Sequence, residues 1–148
     1  MTQVFRSPEF EDLPRMLELG EAFFKAHYKQ HFEFDPDKIE FSLRALLPEP
    51  RAFLRVGGDE TQLTWVFGGV VSPSLFYGDE VASELFFFCE PTAKSRIPVT
   101  RLMNEFEAWA STKGVTTVCF TLLGTDPKDS FLHKRGYTRT ETTYAKVL

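Results

Sequence analysis

Glu84 is the one charged side chain inside the most apolar run of the chain, Ser83-Glu84-Leu85-Phe86-Phe87-Phe88-Cys89. A carboxylate among such neighbours is partly desolvated, which raises its pKa and suits it to accept a proton near neutrality. The plainer reading is a charge at the strand's solvent end, or one paired with Lys or Arg. Strict strand alternation predicts Glu84, Phe86 and Phe88 on one face and Leu85, Phe87 and Cys89 on the other. A second group, Lys94, Arg96 and Arg101, brackets the start of a predicted helix at Pro98. Cations at a helix N-terminus oppose the macrodipole by about 0.3–1 kcal/mol each, and a bound polyanion would offset that. Without one, they are solvated loop charges. A third group is His27, Tyr28 and His31. His27 and His31 stand four residues apart, a spacing metals can use, but no carboxylate falls in register and no metal site is expected. Cys89 and Cys119 each lie within strand-like runs and read as small buried side chains in a reducing compartment.

The 148 residues fit one compact domain, and 43% hydrophobic with 26% charged residues predicts a soluble core-forming chain. The net charge of −4 argues against a nucleic-acid partner. Residues 1–90 carry 8 basic and 16 acidic side chains, whereas residues 91–148 carry 9 basic and 5 acidic, which points to an anion handled in the second part. No apolar stretch approaches the roughly 18 residues a membrane helix needs, and Met1-Thr2-Gln3-Val4-Phe5-Arg6 has no signal-like apolar region. A cytoplasmic location without membrane contact is the expectation.

These groups need elements to position them. Val4–Arg6 reads as a short strand. Asp12 to about Tyr28 has helical apolar spacing, with Pro14 in the first turn. Asp35-Pro36-Asp37 caps a second helix bearing Ile39, Leu43, Leu46 and Leu47. Ala52–Val56 and Thr64–Val71 read as strands around a Gly57-Gly58-Asp59-Glu60 turn, and Ala82–Cys89 as a central strand. Pro98 to about Lys113 is an amphipathic helix closed by Gly114. Val115–Leu123 reads as a strand, Asp129–Arg135 as a short helix closed by Gly136, and Tyr137–Val147 as a final extended segment or hairpin. The order β-α-α-β-β-β-α-β-α-β implies a mixed α/β sheet with some parallel pairing.

That order, together with Glu84-Leu85-Phe86-Phe87-Phe88-Cys89-Glu90-Pro91, the basic loop, Leu102, Phe106-Glu107-Ala108-Trp109-Ala110, Gly114 and Phe131-Leu132-His133-Lys134-Arg135-Gly136-Tyr137, resembles the GNAT N-acetyltransferases over essentially the whole chain. It looks closest to small GNAT proteins encoded by bacteriophages. The resemblance implies a central mixed sheet whose parallel strands splay apart, with flanking helices. It also implies acetyl-CoA as co-substrate. The pantetheine amides would meet the backbone of Phe87, Phe88 and Cys89. The pyrophosphate would meet the loop through Lys94, Ser95, Arg96, Ile97, Val99, Thr100 and Arg101.

The family's loop glycines are replaced, by Ile97 and Val99 in one register or by Pro98 and Thr100 in the other. By the same resemblance Glu84 is the general base, and His27, Tyr28 and His31 lie at the acceptor pocket. The family's acidic tyrosine corresponds to Leu132, and its asparagine to Thr125, so Tyr144 or Tyr137 is left to protonate the leaving thiolate. His133 is a lesser proton carrier. The implied activity is acetyl transfer to a primary amine of a small molecule or protein. The alternative is a catalytically weak GNAT-fold protein that docks on a protein partner, a host protein if the source is a phage. Either would act as a monomer or homodimer.

Overall fold

The computed structural model describes residues 3–29, 32–121 and 129–148, with Ser95 described by its backbone. Among the described residues, five strands form one sheet in the order β1-β2-β3-β4-β5, where β1 is Val4–Arg6, β2 Ala52–Gly58, β3 Leu63–Pro73, β4 Glu80–Cys89 and β5 Val118–Cys119. The first four pair antiparallel; β4 and β5 pair parallel. Helices α1 (Leu13–His27) and α2 (Pro36–Leu46) cover one face. Helix α3 (Val99–Thr112) covers the other, and α4 (Asp129–Lys134) follows β5.

Each face has its own core. Leu13, Met16 and Leu19 of α1 and Leu43 of α2 pack on Val56, Leu63 and Val66, with Phe86 and Phe88 at the edge. Leu102, Phe106 and Ala110 of α3 pack on Phe53, Trp65, Phe67 and Ala82. Phe67 and Phe106, fully buried with rings 5.2 Å apart, form the centre of that second core. Burying such a side chain contributes roughly 1.5–3 kcal/mol.

Local rules account for the element ends. Pro14 lies in the first turn of α1. The Asp35 carboxylate accepts the Lys38 N–H and caps α2. Gly114 and Gly136 adopt positive φ just past α3 and α4.

Three expectations need correction. The expected Gly57-Gly58-Asp59-Glu60 turn is one step off: both glycines belong to β2, and Asp59 turns the chain by accepting the Thr61 and Gln62 N–H groups. The expected strand over residues 115–123 is only Val118–Cys119 within the described residues, and Leu122 and Leu123 lie outside them. Tyr137–Val147 forms no strand. Its Thr-Arg-Thr-Glu-Thr-Thr run offers no apolar face to fix a register against β5.

Candidate functional site

Among the described residues the parallel ladder between β4 and β5 consists of Ala82↔Val118 and Ser83↔Cys119. Beyond it β4 continues six residues, to Cys89, still paired with β3. At the point where the ladder ends, the Glu84 carboxylate accepts the backbone N–H of Thr121 at 3.3 Å. A side chain therefore substitutes for strand pairing where β4 and β5 part.

Glu84 does not share a face with Phe86 and Phe88. Glu84 lies opposite Gly69 and Phe86 opposite Gly68, so Leu85 is an extra residue without a counterpart in β3. This β-bulge reverses the alternation phase. Phe86 and Phe88 turn to the α1 core, while Phe87 and Cys89 turn to the α3 core. A side chain at Gly69, across from Glu84, would run into Phe106 on α3. Glu84 thus belongs to the α3 side, and Leu85 stands 54% exposed at the split. The adjacent glycines 68 and 69 inside β3 were the available sequence signal, since glycine within a strand often marks a bulge or a close approach.

Phe87 and Phe88 spend their side chains on packing. Phe87 meets Trp65 and Phe67 edge-on, and Phe88 stacks on Phe86 at 4.8 Å. What they and Cys89 can offer a ligand is backbone, along the edge that β5 has left.

After β4 the chain makes a 3-10 turn, Pro91–Arg96, and enters α3. The positions where the resemblance expects glycines, within residues 97–100, directly follow this turn at the start of α3. Ile97 is buried and Val99 partly buried against the α3 core, whereas Lys94, Arg96 and Thr100 are exposed. The N-cap of α3, Pro98, makes no side-chain cap, and the first turn holds no acidic residue. Pro98 lacks an N–H, and the Val99 N–H goes to the Ile97 carbonyl at 2.8 Å. The donors left at the mouth of α3 are those of Thr100 and Arg101. They open on a shallow depression of about 630 Å³ whose lining includes Thr100, Arg101 and Asn104.

Arg101 is already engaged. Its guanidinium lies 3.9 Å from the Phe5 ring centre and donates to Glu105 at 3.1 Å. Glu105 also accepts from Arg55. Burial alone would raise the Glu105 pKa, but the two arginines outweigh it and the net shift is downward. Arg96 faces the β2–β3 turn and helps hold the Asp59 carboxyl below its usual range, after the larger effect of hydrogen bonds from Thr61 and Gln62.

Asn104, which sequence reasoning missed, lines the same depression, and Arg135, also missed, is bonded to it. Arg135 donates to Asn104 at 2.8 Å and to Glu107 at 3.1 Å. Its Nε is buried without a partner among the described residues. Tyr137 donates its hydroxyl to Glu107 at 2.7 Å. Burial, and then Glu107, push the Tyr137 hydroxyl well above the usual tyrosine value. Tyr137 therefore locks the segment after α4 onto α3. Tyr144 is 90% exposed. His133 sits on α4 and meets Asp129 at 3.3 Å.

On the other side of the sheet, α1 runs back along β4. Arg15, near its start, pairs with Glu90 just past the strand end, and Gly20 and Phe23 lie over Phe88. His27 ends α1 and Tyr28 is its C-cap. His27 is exposed, with its ring 4.6 Å from Phe23, and Tyr28 is half-buried against Phe23 and Phe24. His31 lies outside the described residues. Among the described residues no cluster of His, Cys, Asp or Glu could hold a metal ion, and no helix is long and apolar enough to cross a membrane.

No protein-family model matches the chain, and no curated protein matches it in sequence. Solved structures do match. A predicted acetyltransferase with acetyl-CoA from Clostridium acetobutylicum superposes with a TM-score of 0.78 at 10% identity, over 97% of this chain and 95% of that one. The aminoglycoside antibiotic 6'-N-acetyltransferase of Acinetobacter haemolyticus gives 0.72 at 15% identity, over 98% and 99%. The glucosamine-6-phosphate N-acetyltransferase of Arabidopsis thaliana gives 0.72 at 11%, over 99% of each. The architecture is the GNAT acetyltransferase fold.

Proposed function

We propose that the protein moves an acetyl group from acetyl-CoA to a primary amine, with the reaction centred where β4 and β5 part. The observation that carries this reading is the end of the parallel ladder at Ser83↔Cys119, with the Glu84 carboxylate stationed at the gap. Its neighbour, the uncapped and acid-free start of α3, suits an anion. The fold, shared with a structure that carries acetyl-CoA, supports the same assignment.

The residues fit the donor by charge and by backbone. Lys94, Arg96 and the Thr100 and Arg101 N–H groups would meet phosphate. The β4 edge at Phe87–Cys89 would meet the pantetheine amides. When bound, acetyl-CoA supplies the thioester acyl group. An amine attacks only when neutral, so the ammonium must first give up a proton. Glu84, directly or through a water, accepts it. The C–N bond forms as the C–S bond breaks, the nitrogen releases its second proton to solvent, and the thiolate takes up a proton. A thiol with a pKa near 8.5 leaves readily at neutral pH, so solvent can protonate it. Tyr144, with 90% of its surface exposed, is open to that same solvent.

One observation favours a second reading. Ile97 and Val99 turn into the α3 core in place of glycines that would admit a ligand close to the backbone. That suits a protein that has kept the fold and docks on a partner, a host protein if the source is a phage. Calorimetric titration with acetyl-CoA, followed by an acetylation assay on an amine panel, separates the two. The enzyme reading expects binding, and turnover that Glu84→Gln lowers at least about a hundredfold with donor affinity retained. Absence of acetyl-CoA binding leaves the docking reading, and equal turnover by Glu84→Gln removes Glu84 as the base.

A further inference from the structure

The loop between β3 and β4 holds two large apolar side chains in water. Leu75 is 91% exposed and Phe76 86%. The loop that presents them is braced. The Ser74 hydroxyl accepts the N–H groups of Phe76 and Tyr77, at 3.3 and 3.2 Å, and the Ser74 N–H goes to the Asp79 carbonyl at 3.1 Å. Gly78 takes a positive φ of 89° within the turn. Single apolar residues scattered on a surface need no explanation, but an adjacent pair fixed at a hairpin tip points to a contact.

A second exposed stretch is tied to this loop. Every residue from Thr138 to Leu148 is exposed. The Thr140 hydroxyl accepts from Tyr77 at 3.0 Å, which sets the segment beside the loop. Past the polar Thr-Arg-Thr-Glu-Thr-Thr run come Tyr144-Ala145-Lys146-Val147, where Tyr144 is 90% and Val147 63% exposed. The loop lies where β4 begins, at the far end of that strand from Cys89.

The charges on these two stretches say what fits them. The loop brings Asp79 and the first residue of β4 is Glu80; the segment brings Arg139 and Lys146. Glu80 pairs with Arg51, and Arg139 with Asp129. Asp79 and Lys146 are exposed and enter no ion pair among the described residues. An anionic lipid surface would meet the loop carboxylates and be repelled. An apolar pair beside an anion on the loop, and apolar side chains around a cation on the segment, are complementary to each other. A two-fold axis brings each onto its counterpart in a second copy, so that every contact is made twice. Loop and segment together offer about 17 residues a side, somewhat under the ~20–30 of a standard interface, which corresponds to a weak, reversible dimer.

We infer that two copies of the chain associate through this surface, with Leu75 and Phe76 of one copy seated on Tyr144 and Val147 of the other, and Asp79 facing Lys146. The inference does not depend on the chemistry at the β4–β5 gap.

Sedimentation velocity of the intact protein over about 2–200 µM tests it. The expected result is a concentration-dependent shift from monomer to dimer. Phe76→Ser, at a position with little packing to lose, should weaken the dimer at least about tenfold while the far-UV circular dichroism stays that of wild type. Asp79→Lys and Lys146→Glu should each weaken it about three- to tenfold by setting like charges together. An equimolar mixture of those two variants should associate more tightly than either alone, because the mixed dimer restores an opposite pair at both contacts. Monomer throughout the range overturns the inference. So does a dimer that Phe76→Ser leaves unchanged, or a mixture no tighter than its components. A monomer that binds phosphatidylcholine vesicles, and loses that binding in Phe76→Ser, assigns the loop to a lipid surface and overturns the inference as well.

Discussion

Replacing Gly69 by alanine should destabilise the protein, because the position is closed from above by a ring that has nowhere to go. An alanine Cβ at Gly69 would stand 2.6 Å from Cζ of Phe106 and 3.2 Å from the Ser83 carbonyl oxygen. Phe106 is fully buried, and its ring is held by Phe53 at 5.3 Å, Phe67 at 5.2 Å, Phe120 at 5.6 Å and Trp109 at 5.8 Å. Over-packing such a site costs about 1–3 kcal/mol. Gly69 is not among the positive-φ residues, so alanine recovers about 0.4–1 kcal/mol by restricting the unfolded chain. The net loss is about 1–2 kcal/mol, or a drop in Tm of roughly 3–8 °C for a domain of this size. Differential scanning fluorimetry measures it. Phe106→Leu should couple with Gly69→Ala, the double variant losing less than the two single losses together. A Tm for Gly69→Ala equal to or above wild type, or strict additivity with Phe106→Leu, would refute the claim that Phe106 fixes the sheet opposite Glu84.

Other outcomes follow from the charges. Lys94→Ala with Arg96→Ala should weaken acetyl-CoA binding about ten- to hundredfold by calorimetry, the range for lost charge-assisted contacts. Arg101→Ala should cost less affinity and more stability, since its guanidinium is committed to Phe5 and Glu105. Tyr137→Phe should lower the urea-unfolding free energy by about 1 kcal/mol at pH 8. The folded hydroxyl titrates above its ordinary value of 10.0, so its contribution is complete below that pH and fades as pH rises past it. The gap between Tyr137→Phe and wild type should therefore narrow above pH 10. Burial and then Glu141 push the Cys119 thiol up, so iodoacetamide should label it more slowly than a free thiol at pH 8.

Much of the fold was legible because it rests on local patterns. The α3 face Val99, Leu102, Met103, Phe106 and Ala110 reads directly from helical spacing; the last four are buried and Val99 is partly buried. The α1 and α2 stripes and the stops at Gly114 and Gly136 are equally local. The extent of the strand after α3 and the form of the C-terminal segment were not legible. Their β-forming composition states a preference, whereas pairing depends on what edge the rest of the sheet presents. A run such as Thr138-Arg139-Thr140-Glu141-Thr142-Thr143 carries no apolar side chain to choose that edge. The loop arginines were legible as charges but not as contacts. Arg101 and Arg96 read alike in the sequence, yet one lies on Phe5 and the other faces Asp59.

The least legible feature is the one on which the site turns. Alternation is a period-two rule, so one inserted residue inverts every later assignment without altering composition or hydropathy. Had Leu85 paired normally, Glu84 would share the α1 face with Phe86 and Phe88, and its carboxylate would point into the core of Met16 and Leu19. The bulge separates the two demands on β4. Residues before it stay in phase with Ala82, on the α3 side where the Thr121 N–H waits. Residues after it send Phe86 and Phe88 to α1, where Phe88 meets Phe23. Gly68 and Gly69 permit this by leaving room for Phe86 on one face and Phe106 on the other. A single extra residue thus places the Glu84 carboxylate and the Phe86 and Phe88 rings on opposite sides of one strand.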